Sequence, residues 1–270
     1  MSAPVEAGPY RVGGGSAPLL IAGNCVIETL DTALRTADVV AEGCARVGFN
    51  PVFKASFEKA NRSRGDSYRG PGLDAGLEIL ARVKAETGLP LLTDVHLPEH
   101  CAPAGEVVDF LQIPAFLCRQ TELLEAAAAT GRCVNIKKGQ FLAPAAMQHA
   151  AQKVRQAGNE SVLLTERGAS FGYGDLIVDF RGFETMRGFA PLIFDATHSA
   201  QKPAGAGGVT GGDRRLALPL ARAAAAVGVD GYFVELHPRP DEAKSDAANA
   251  LDFDLFNRFL DQTSRIMGVR

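Results

Sequence analysis

The chain contains 270 residues, enough for one large domain whose core needs no disulfide staples. Lys and Arg number 28 and Asp and Glu number 31, and the net charge of −3 excludes the broad basic excess of a nucleic-acid-binding protein. No apolar run approaches the roughly 18 residues that span a bilayer, so we expect no transmembrane segment.

The five cysteines are odd in number and form no CxxC pair. Such cysteines are typical of reduced thiols in a cytosolic protein. The N-terminal residues also lack the charged-then-apolar pattern of a secretory signal. We therefore expect a soluble, cytoplasmic protein that binds neither membranes nor nucleic acid.

Residues 1–17 are rich in Gly, Pro and Ala, and we expect them to be irregular or to form a capping hairpin before a domain at 18–270. From there, short apolar runs typical of strands alternate with Ala- and Leu-rich amphipathic stretches typical of helices. Strands are predicted at 19–27, 52–56, 91–96, 110–114, 133–137, 161–165, 192–197 and 232–236. Helices are predicted near 29–47, 73–87, 98–105, 119–130, 145–157, 181–188, 213–227 and 252–267.

Eight strand–helix units in succession predict a closed (β/α)8 TIM barrel that forms a single α/β domain. An open doubly wound sheet is the alternative fold. It is disfavoured because no GxGxxG motif follows the first strand, and Gly13, Gly14 and Gly15 precede that strand instead. In a barrel the C-terminal ends of all eight strands surround one mouth, where such folds carry their functional groups.

The segment 53–72, FKASFEKANRSRGDSYRGPG, follows the second predicted strand and is rich in cations. Arg offers phosphate oxygens a planar fork and Lys offers them a point charge, so the segment is a candidate for binding a phosphorylated ligand. Taken alone, the segment could equally be a solvated basic loop. Its cations are Lys54, Lys59, Arg62, Arg64 and Arg69.

The predicted strands end in ionisable or amide side chains. Unpaired buried charge is costly, so packing alone does not explain polar groups at these strand ends. The pattern favours an enzyme whose site lies at the mouth of the barrel. In chain order these side chains are Asn24, Cys25, Lys54, Asp94, His96, Gln112, Asn135, Lys137, Lys138, Glu166, Arg167, Asp195, His198, Glu235 and His237.

One subset of these groups is cationic. Its positive charge exceeds what a single carboxylate requires, which suggests two anionic ligand groups, at least one of them a phosphate. The structural alternative for any one lysine is an ion pair with a strand-end acid such as Asp94 or Glu166. The four cations are Lys54, Lys59, Lys137 and Arg167.

A second subset combines a thiol, an imidazole and two carboxylates. These groups follow the first, seventh and eighth strands, which are neighbours in a closed barrel, so they could hold one divalent metal. A mixed S, N and O donor set suits Fe(II), Zn(II), Mn(II) or Co(II) better than Mg(II) or Ca(II). The spacing leaves open that the thiol is a core side chain and that the imidazole pairs with a carboxylate. The four are Cys25, His198, Glu235 and Asp246.

Eight blocks of sequence occur in order between about residue 20 and residue 251: IAGNCVIE, FKASFEKANRSRGDSYRGPG, LTDVH, QIPAFLCRQTELLEAAAATG, NIKKGQF, LTERGASFGYGDLIVDFR, FDATHSAQKP and VELHPRPDEAKSDAANAL. In register, these blocks resemble the 3-deoxy-D-manno-octulosonate 8-phosphate synthase (KDO8P synthase) family. The KANRS block distinguishes the chain from the related DAHP synthases, which carry a KPR-type sequence at that place.

The resemblance implies condensation of phosphoenolpyruvate with D-arabinose 5-phosphate, with release of inorganic phosphate, for lipopolysaccharide biosynthesis. It implies that Asn61, Arg62 and Ser63 bind the pentose phosphate, partly across a subunit interface of a homotetramer. The implied phosphoenolpyruvate-binding residues are Lys54, Lys59, Gln112, Pro114, Ala115, Lys137 and Arg167, and Ser56 is a further substrate-binding candidate. The catalytic candidates are Lys54, Lys59, Asp94, His96, Lys137 and Arg167.

Cys25 implies the metal-dependent class of this family, because metal-independent members carry Asn at this position. The run Ser245-Asp246-Ala247 is also similar to the metal-dependent type. The resemblance therefore implies one divalent metal ion per subunit, of the Fe, Zn, Mn or Co type, and no organic cofactor. The implied ligands are Cys25, His198, Glu235 and Asp246.

Three other functions remain to be distinguished: a DAHP or sialic-acid-type synthase, a Schiff-base aldolase that uses Lys54 or Lys137, and a non-catalytic sugar-phosphate binder. Two departures from the family pattern concern loops. Arg64 stands where Ser is expected, and the loop 201–215, rich in Gly and Ala, is expected to be a mobile lid.

Overall fold

The computed structural model of this protein describes residues 2–61, 65–171, 174–206 and 209–269. Its strands in chain order are β1 (Val5–Ala7), β2 (Tyr10–Val12), β3 (Leu19–Gly23), β4 (Asn50–Lys54), β5 (Leu91–Asp94), β6 (Phe110–Ile113), β7 (Cys133–Lys137), β8 (Val162–Glu166), β9 (Ala169–Ser170), β10 (Leu176–Ile177), β11 (Leu192–Asp195), β12 (Gln201–Ala206), β13 (Val209–Gly212) and β14 (Gly231–Glu235).

Eight of these strands form a closed parallel barrel in the order β11-β14-β3-β4-β5-β6-β7-β8, and β8 pairs with β11 to close it. The predicted (β/α)8 fold is therefore confirmed, and the open sheet is not. All eight predicted helices are present on the outside of the barrel. They are α1 (Leu30–Val47), α2 (Leu73–Thr87), α3 (Pro98–Val107), α4 (Thr121–Ala129), α5 (Met147–Gln156), α6 (Arg181–Arg187), α7 (Ala217–Val227) and α8 (Phe253–Met267).

Helix α1 shows how local signals set the helix ends. The Thr29 hydroxyl accepts a hydrogen bond from the Thr32 N–H at 3.1 Å and so satisfies one of the free donors of the first turn. At the other end Gly48 adopts a φ of 75°, and its N–H donates to the Cys44 carbonyl at 2.8 Å. Both ends can be predicted because every partner lies within one helical turn.

The barrel strands are buried on both faces, as expected of a parallel sheet covered by helices. In β3, Leu20 and Ala22 pack in the core between barrel and helices, whereas Leu19 and Ile21 pack inside the barrel. The predicted strand at 19–27 ends at Gly23, because the chain then leaves the barrel wall and the Ile27 N–H bonds to the carbonyl of Ser56 instead.

Inside the barrel the side chains change from apolar to polar along seven of the eight barrel strands, and β3 ends in Gly23 instead. Because side chains on one face recur every second residue, an apolar inward residue is followed two positions later by an inward polar one. The hairpin β1–β2 closes the apolar end, where Ala7 and Val12 pack against this layer. The pairs are Val52 and Lys54, Leu92 and Asp94, Phe110 and Gln112, Cys133 and Asn135, Leu163 and Thr165, Ile193 and Asp195, and Phe233 and Glu235.

Two more antiparallel hairpins, β9–β10 and β12–β13, lie on loops that follow β8 and β11. The second occupies most of the loop 201–215, so the predicted lid contains paired strands, whose register shifts between Lys202 and Ala206, and its mobility stays a prediction. All five cysteines are buried free thiols. None of the helices in the described ranges has both the length and the hydropathy that a membrane crossing requires.

Candidate active site

A cavity of about 520 Å³ opens at the C-terminal ends of the barrel strands. Most of the predicted site residues line it, although they come from all parts of the chain. They are Lys54, Lys59, Asn61, Asp94, His96, Gln112, Pro114, Ala115, Lys137, Arg167, His198, Glu235 and Asp246.

Two predicted site residues lie behind this lining. Ser56 is fully buried and donates a hydrogen bond to Asp94, and Cys25 is buried beside Asp246. The predicted pentose-phosphate residues Arg62 and Ser63, together with Arg64, lie outside the described residues.

Lys54 extends from the end of β4 into the barrel and is fully buried. Its ammonium lies 2.7 Å from Glu235 Oε1 and donates to the carbonyls of Asn24 and Cys25 at 3.1 and 2.8 Å. These three acceptors match the three N–H donors of a lysine. Lys54 is therefore held as a cation between the first and last strand ends.

Lys59 and Asp94 form the ion pair expected between a lysine and a strand-end acid, with 3.2 Å between Nζ and Oδ2. Burial alone would raise the pKa of the Asp94 carboxyl, but Lys59 and Lys54 outweigh burial and hold that pKa well below its usual range. His96 lies beside them, and burial lowers its pKa. At neutral pH this corner therefore contains a carboxylate, ammonium groups and a neutral imidazole.

A chain of hydrogen bonds runs across the floor of the cavity. The Thr165 hydroxyl donates to Asn135 Oδ1 at 2.7 Å, and Asn135 Nδ2 donates to Gln112 Oε1 at 2.9 Å. Gln112 Nε2 in turn donates to Asp94. The chain links β8, β7, β6 and β5 and fixes the orientation of both amides, because each amide oxygen meets a donor and each amide nitrogen meets an acceptor.

Lys137 lies on the opposite side, at the end of β7. Its Nζ is 2.6 Å from Asp195 Oδ2 and 3.4 Å from the centre of the Phe233 ring. Burial lowers the pKa of Lys137, and Asp195 counteracts that effect. Asp195 also lies 2.7 Å from His198 Nδ1, so one carboxylate orients both a cation and an imidazole.

Arg167 follows β8 and is buried, with only 4% of its surface exposed. One guanidinium nitrogen, Nη2, donates to Gln201 Oε1 at 2.6 Å. The other, Nη1, is buried and meets no hydrogen-bond acceptor among the described residues. Because buried donors are nearly always satisfied, Nη1 marks a place where a ligand oxygen is expected.

The predicted metal ligands converge at one side of the cavity. The donor atoms of Cys25, Glu235 and Asp246 all lie within 4.8 Å of one another. His198 Nε2 faces them, 3.6 Å from Glu235 Oε2 and 3.5 Å from Asp246 Oδ2, and Asp195 holds the other nitrogen of the imidazole. A carboxylate behind the imidazole is the usual partner of a metal-binding histidine.

These four residues fit a small divalent cation. Metal–ligand bonds of about 2.0–2.3 Å in a tetrahedral site separate ligand atoms by about 3.3–3.7 Å. The observed separations of His198 from the two carboxylates and of Cys25 Sγ from Asp246 Oδ2, at 3.4 Å, lie in that range. Glu235 Oε2 is buried and accepts no hydrogen bond from the described residues, as expected of an atom that awaits a cation.

The backbone at Asp246 supports the same conclusion. Its φ of 50° makes it the one non-glycine residue with a positive φ in the described part of the chain. Such strain persists where the surroundings over-determine a conformation, and it occurs mainly at functional sites. The Asp246 carbonyl accepts N–H donors from Asn249 and Ala250 at 2.9 and 3.1 Å, which holds the turn.

The cavity also contains residues that were not predicted. Gln140, Gln201, Phe116 and Lys244 line it, and Gln201 contacts Arg167 directly. Gln201 lies within the block FDATHSAQKP, which resembles the family. Its role, however, depends on a contact with Arg167, 34 residues earlier in the chain. No local pattern indicates such a contact.

Comparison with known proteins shows the family of this chain. The DAHP synthetase I family matches residues 3–267. A protein named 2-dehydro-3-deoxyphosphooctonate aldolase from Nitratidesulfovibrio vulgaris is 56% identical over 251 residues, which cover 93% of this chain and 92% of the relative.

Proteins of the same name give similar values. The one from Koribacter versatilis is 55% identical and the one from Magnetococcus marinus is 53% identical; they cover 94% and 96% of this chain and 92% and 91% of the relatives. The chain therefore belongs to the DAHP synthetase I family, in the group of the 2-dehydro-3-deoxyphosphooctonate aldolases, which are also known as KDO8P synthases.

Proposed function

We infer that this chain is a KDO8P synthase, an enzyme of the transferase class. It condenses phosphoenolpyruvate with D-arabinose 5-phosphate and water to give 3-deoxy-D-manno-octulosonate 8-phosphate and inorganic phosphate. The observation that carries the inference is the match of at least 90% of the chain to relatives of that name, together with a cavity lined by buried cations. The product would serve lipopolysaccharide biosynthesis.

For phosphoenolpyruvate we propose the wall formed by Lys59, Lys137 and Arg167. Each of these cations lines the cavity, and Arg167 Nη1 is a buried donor without an acceptor. Gln112 and the Pro114–Ala115 segment complete this side. The acids Asp94 and Asp195 pair with two of the cations, so a bound phosphate would compete with or share those ion pairs.

For the pentose phosphate we propose the loop that follows β4. Asn61, which lies within the KANRS block, and Ser67, which follows it, both line the cavity. Arg62 and Ser63 are proposed ligands on the basis of the sequence alone.

In the reaction, C3 of phosphoenolpyruvate forms a bond to the aldehyde carbon of the pentose, and the aldehyde oxygen takes up a proton. The oxygen of water bonds to C2 and gives up a proton. The C2–O bond to phosphate then breaks, the C2 hydroxyl becomes the ketone, and its proton goes to the departing phosphate. Positive charge from the lysines and Arg167 would offset the repulsion between two phosphorylated substrates and stabilise charge that develops at C2. Neutral His96 can hydrogen-bond a substrate oxygen without adding to that positive charge.

We propose that the chain belongs to the metal-dependent class and holds one divalent ion per subunit, of the Fe, Zn, Mn or Co type. Cys25, His198, Glu235 and Asp246 would hold it, and their mixed donor set favours such metals over Mg or Ca. The ion would supply Lewis-acid polarisation of a substrate oxygen.

We further propose a homotetramer in the cytoplasm. Phe116, Phe141 and Phe171 are 53%, 59% and 68% exposed on the loops that follow β6, β7 and β8, which are adjacent in the barrel. A large exposed apolar patch on one side of a protein is typical of a subunit interface. Five buried free thiols favour a reducing compartment. Sedimentation equilibrium tests the assembly, and a monomer at micromolar concentration would contradict it.

The Schiff-base alternative is disfavoured by the surroundings of the lysines. A nucleophilic lysine must be neutral, whereas the Lys54 ammonium uses all three donors and Lys137 pairs with Asp195. Borohydride trapping with substrate tests this alternative directly. We expect no covalent adduct.

The experiment that tests the proposed function is a phosphate-release assay with phosphoenolpyruvate and one of three aldehydes. We expect turnover with arabinose 5-phosphate and little with erythrose 4-phosphate or N-acetylmannosamine; preference for either of the last two would contradict the substrate assignment.

A second series of assays adds a chelator and then Fe, Mn, Co or Zn salts. Loss and recovery of turnover are expected, and full activity in excess chelator would refute the metal assignment alone. Cys25→Asn, assayed in the same way, tests how far the thiol determines metal dependence.

A further inference from the structure

The buried cation Arg167 has one guanidinium nitrogen bonded to Gln201 and one without an acceptor among the described residues. Nη2 donates to Gln201 Oε1 at 2.6 Å, and Nη1 meets no acceptor among the described residues. Both side chains line the cavity and are buried. The contact with Gln201 therefore sets the direction in which the second nitrogen points.

The neighbouring residues Glu166 and Lys138 hold the backbone at Arg167 and Gly168 in place. Glu166 Oε1 accepts the N–H groups of Arg167 and Gly168 at 2.9 and 2.6 Å. Lys138 Nζ lies 3.3 Å from the same carboxylate oxygen and donates to the Gly168 carbonyl at 3.1 Å. Gly168 has a φ of 87°, a conformation that favours glycine. A buried ion pair thus clamps the turn from which the Arg167 side chain extends.

The identity of the Nη2 partner matters because an amide accepts a hydrogen bond without carrying charge. An Asp or Glu at the same place would form a charge-assisted pair and neutralise the guanidinium. Near Arg167 the acids are otherwise engaged, Glu166 by two N–H groups and Lys138, and Asp195 by Lys137 and His198. Arg167 therefore forms no ion pair with a carboxylate of the described residues, and its guanidinium can form one with an anionic ligand.

We propose that Gln201 is a positioning residue that orients Arg167 toward a substrate phosphate while leaving its charge intact, and that the Lys138–Glu166 pair supports the same orientation from the backbone side. The proposal rests on the proposed function, in which Arg167 binds the phosphate of phosphoenolpyruvate. Gln201 does not itself touch the reacting atoms. Its effect is expected in the binding of phosphoenolpyruvate rather than in the chemical step.

The test compares Gln201→Met, which keeps the side-chain length but removes the acceptor, with Gln201→Glu, which keeps the acceptor but adds a charge. Calorimetric titration with phosphoenolpyruvate gives Kd, and steady-state kinetics give KM and kcat. For Gln201→Met we expect Kd to rise about tenfold, as for the loss of a hydrogen bond to a charged group. The kcat value and the KM for arabinose 5-phosphate are expected to stay within about twofold.

For Gln201→Glu we expect a larger rise in Kd, on the order of 100-fold, because the carboxylate neutralises Arg167. This variant keeps the shape and contact of the wild-type side chain, so it remains informative if Gln201→Met fails to fold. Gln152→Met, on the exposed face of α5, is the control and should change neither constant. Wild-type Kd in Gln201→Met, or equal Kd values in Gln201→Glu and the wild type, would overturn the proposal.

The Arg167→Lys variant distinguishes the role of Arg167 in binding phosphoenolpyruvate from the role of Gln201 in positioning Arg167. If Kd for phosphoenolpyruvate rises in Arg167→Lys but not in the Gln201 variants, Arg167 binds the phosphate and the positioning role of Gln201 is wrong. If Kd is unchanged in Arg167→Lys as well, the assignment of Arg167 in the proposed function is wrong. If Kd rises in Arg167→Lys and in both Gln201 variants, and rises more in Gln201→Glu than in Gln201→Met, the results support both roles.

Discussion

Lys54 and Glu235 form a buried ion pair across Gly23, with 2.7 Å between Nζ and Oε1. Gly23 on β3 is paired with Glu235 on β14 and with Lys54 on β4. The ion pair therefore crosses β3, the strand that lies between β14 and β4 in the barrel. Both side chains are only 1% exposed. The Lys54 ammonium is therefore compensated by Glu235 and by the carbonyls of Asn24 and Cys25, whereas Glu235 Oε2 accepts no hydrogen bond from the described residues.

We expect Lys54→Met to lower the free energy of unfolding by about 3–5 kcal/mol, because it leaves the Glu235 carboxylate buried without its cation. Glu235→Gln should be destabilising for the converse reason. The double variant should lose less than the sum of the single losses. Urea unfolding in the presence of chelator measures all three. Arg82→Met, which breaks the exposed Arg82–Glu86 pair, is the control and should cost less than about 1 kcal/mol. Strict additivity of the buried pair would contradict the coupling.

Gly23→Ala is expected to disrupt the same region through the backbone. A Cβ at Gly23 would lie 2.1 Å from the Lys54 carbonyl oxygen, and the φ of 156° strains any side chain there. The loss in unfolding free energy should be on the order of 3 kcal/mol or more. Gly65→Ala is the matched control, since no atom of the described residues lies within 4 Å of its Cβ position. Equal melting temperatures of the two variants would show that the close approach is not needed.

Asn135→Leu tests whether the hydrogen-bond chain at the cavity floor contributes to catalysis as well as to stability. It leaves the Thr165 hydroxyl and Gln112 Oε1 without partners, so we expect a loss of about 1–3 kcal/mol in stability and a clear fall in kcat/KM for phosphoenolpyruvate. Asn159→Leu removes a buried amide that bonds the carbonyls of Ala128 and Arg132 away from the cavity. It should cost similar stability with unchanged kcat/KM. A fall in both variants would assign the kinetic effect to stability alone.

The free energy of unfolding should depend on pH through the Asp94 carboxylate, whose pKa is lower in the folded protein than in the unfolded chain. Because Lys59 and Lys54 hold its pKa in the folded protein well below the usual value, the ionised form stabilises the folded state above the unfolded pKa of about 4. This contribution is lost as the pH falls from about 4 toward the folded pKa. The stability difference between wild type and Asp94→Asn should therefore be constant above about pH 5 and shrink below pH 4. Urea unfolding at a series of pH values measures it, and a difference that grows on acidification would contradict the sign.

Much of the fold could be predicted from the sequence, because its signals are local. The alternation of strands and helices, the caps at Thr29 and Gly48, and the side chains at the strand ends follow from neighbouring residues. Boundaries were less certain. The strand at 19–27 was predicted too long, and the strand at 52–56 was predicted two residues later than β4 (Asn50–Lys54), since where a strand begins and ends depends on its neighbours in the sheet.

The sequence by itself determined which chemical groups reach the mouth of the barrel, because period-two alternation and the position of each strand end fix which side chains point inward. Only the tertiary structure decided how those groups pair. Lys54 meets Glu235, 181 positions away, Lys137 meets Asp195 across 58 positions, and Gln201 meets Arg167 through the β12 hairpin. These contacts depend on barrel closure and on the path of long loops, and a desolvated charge takes whichever partner that geometry brings within hydrogen-bonding distance.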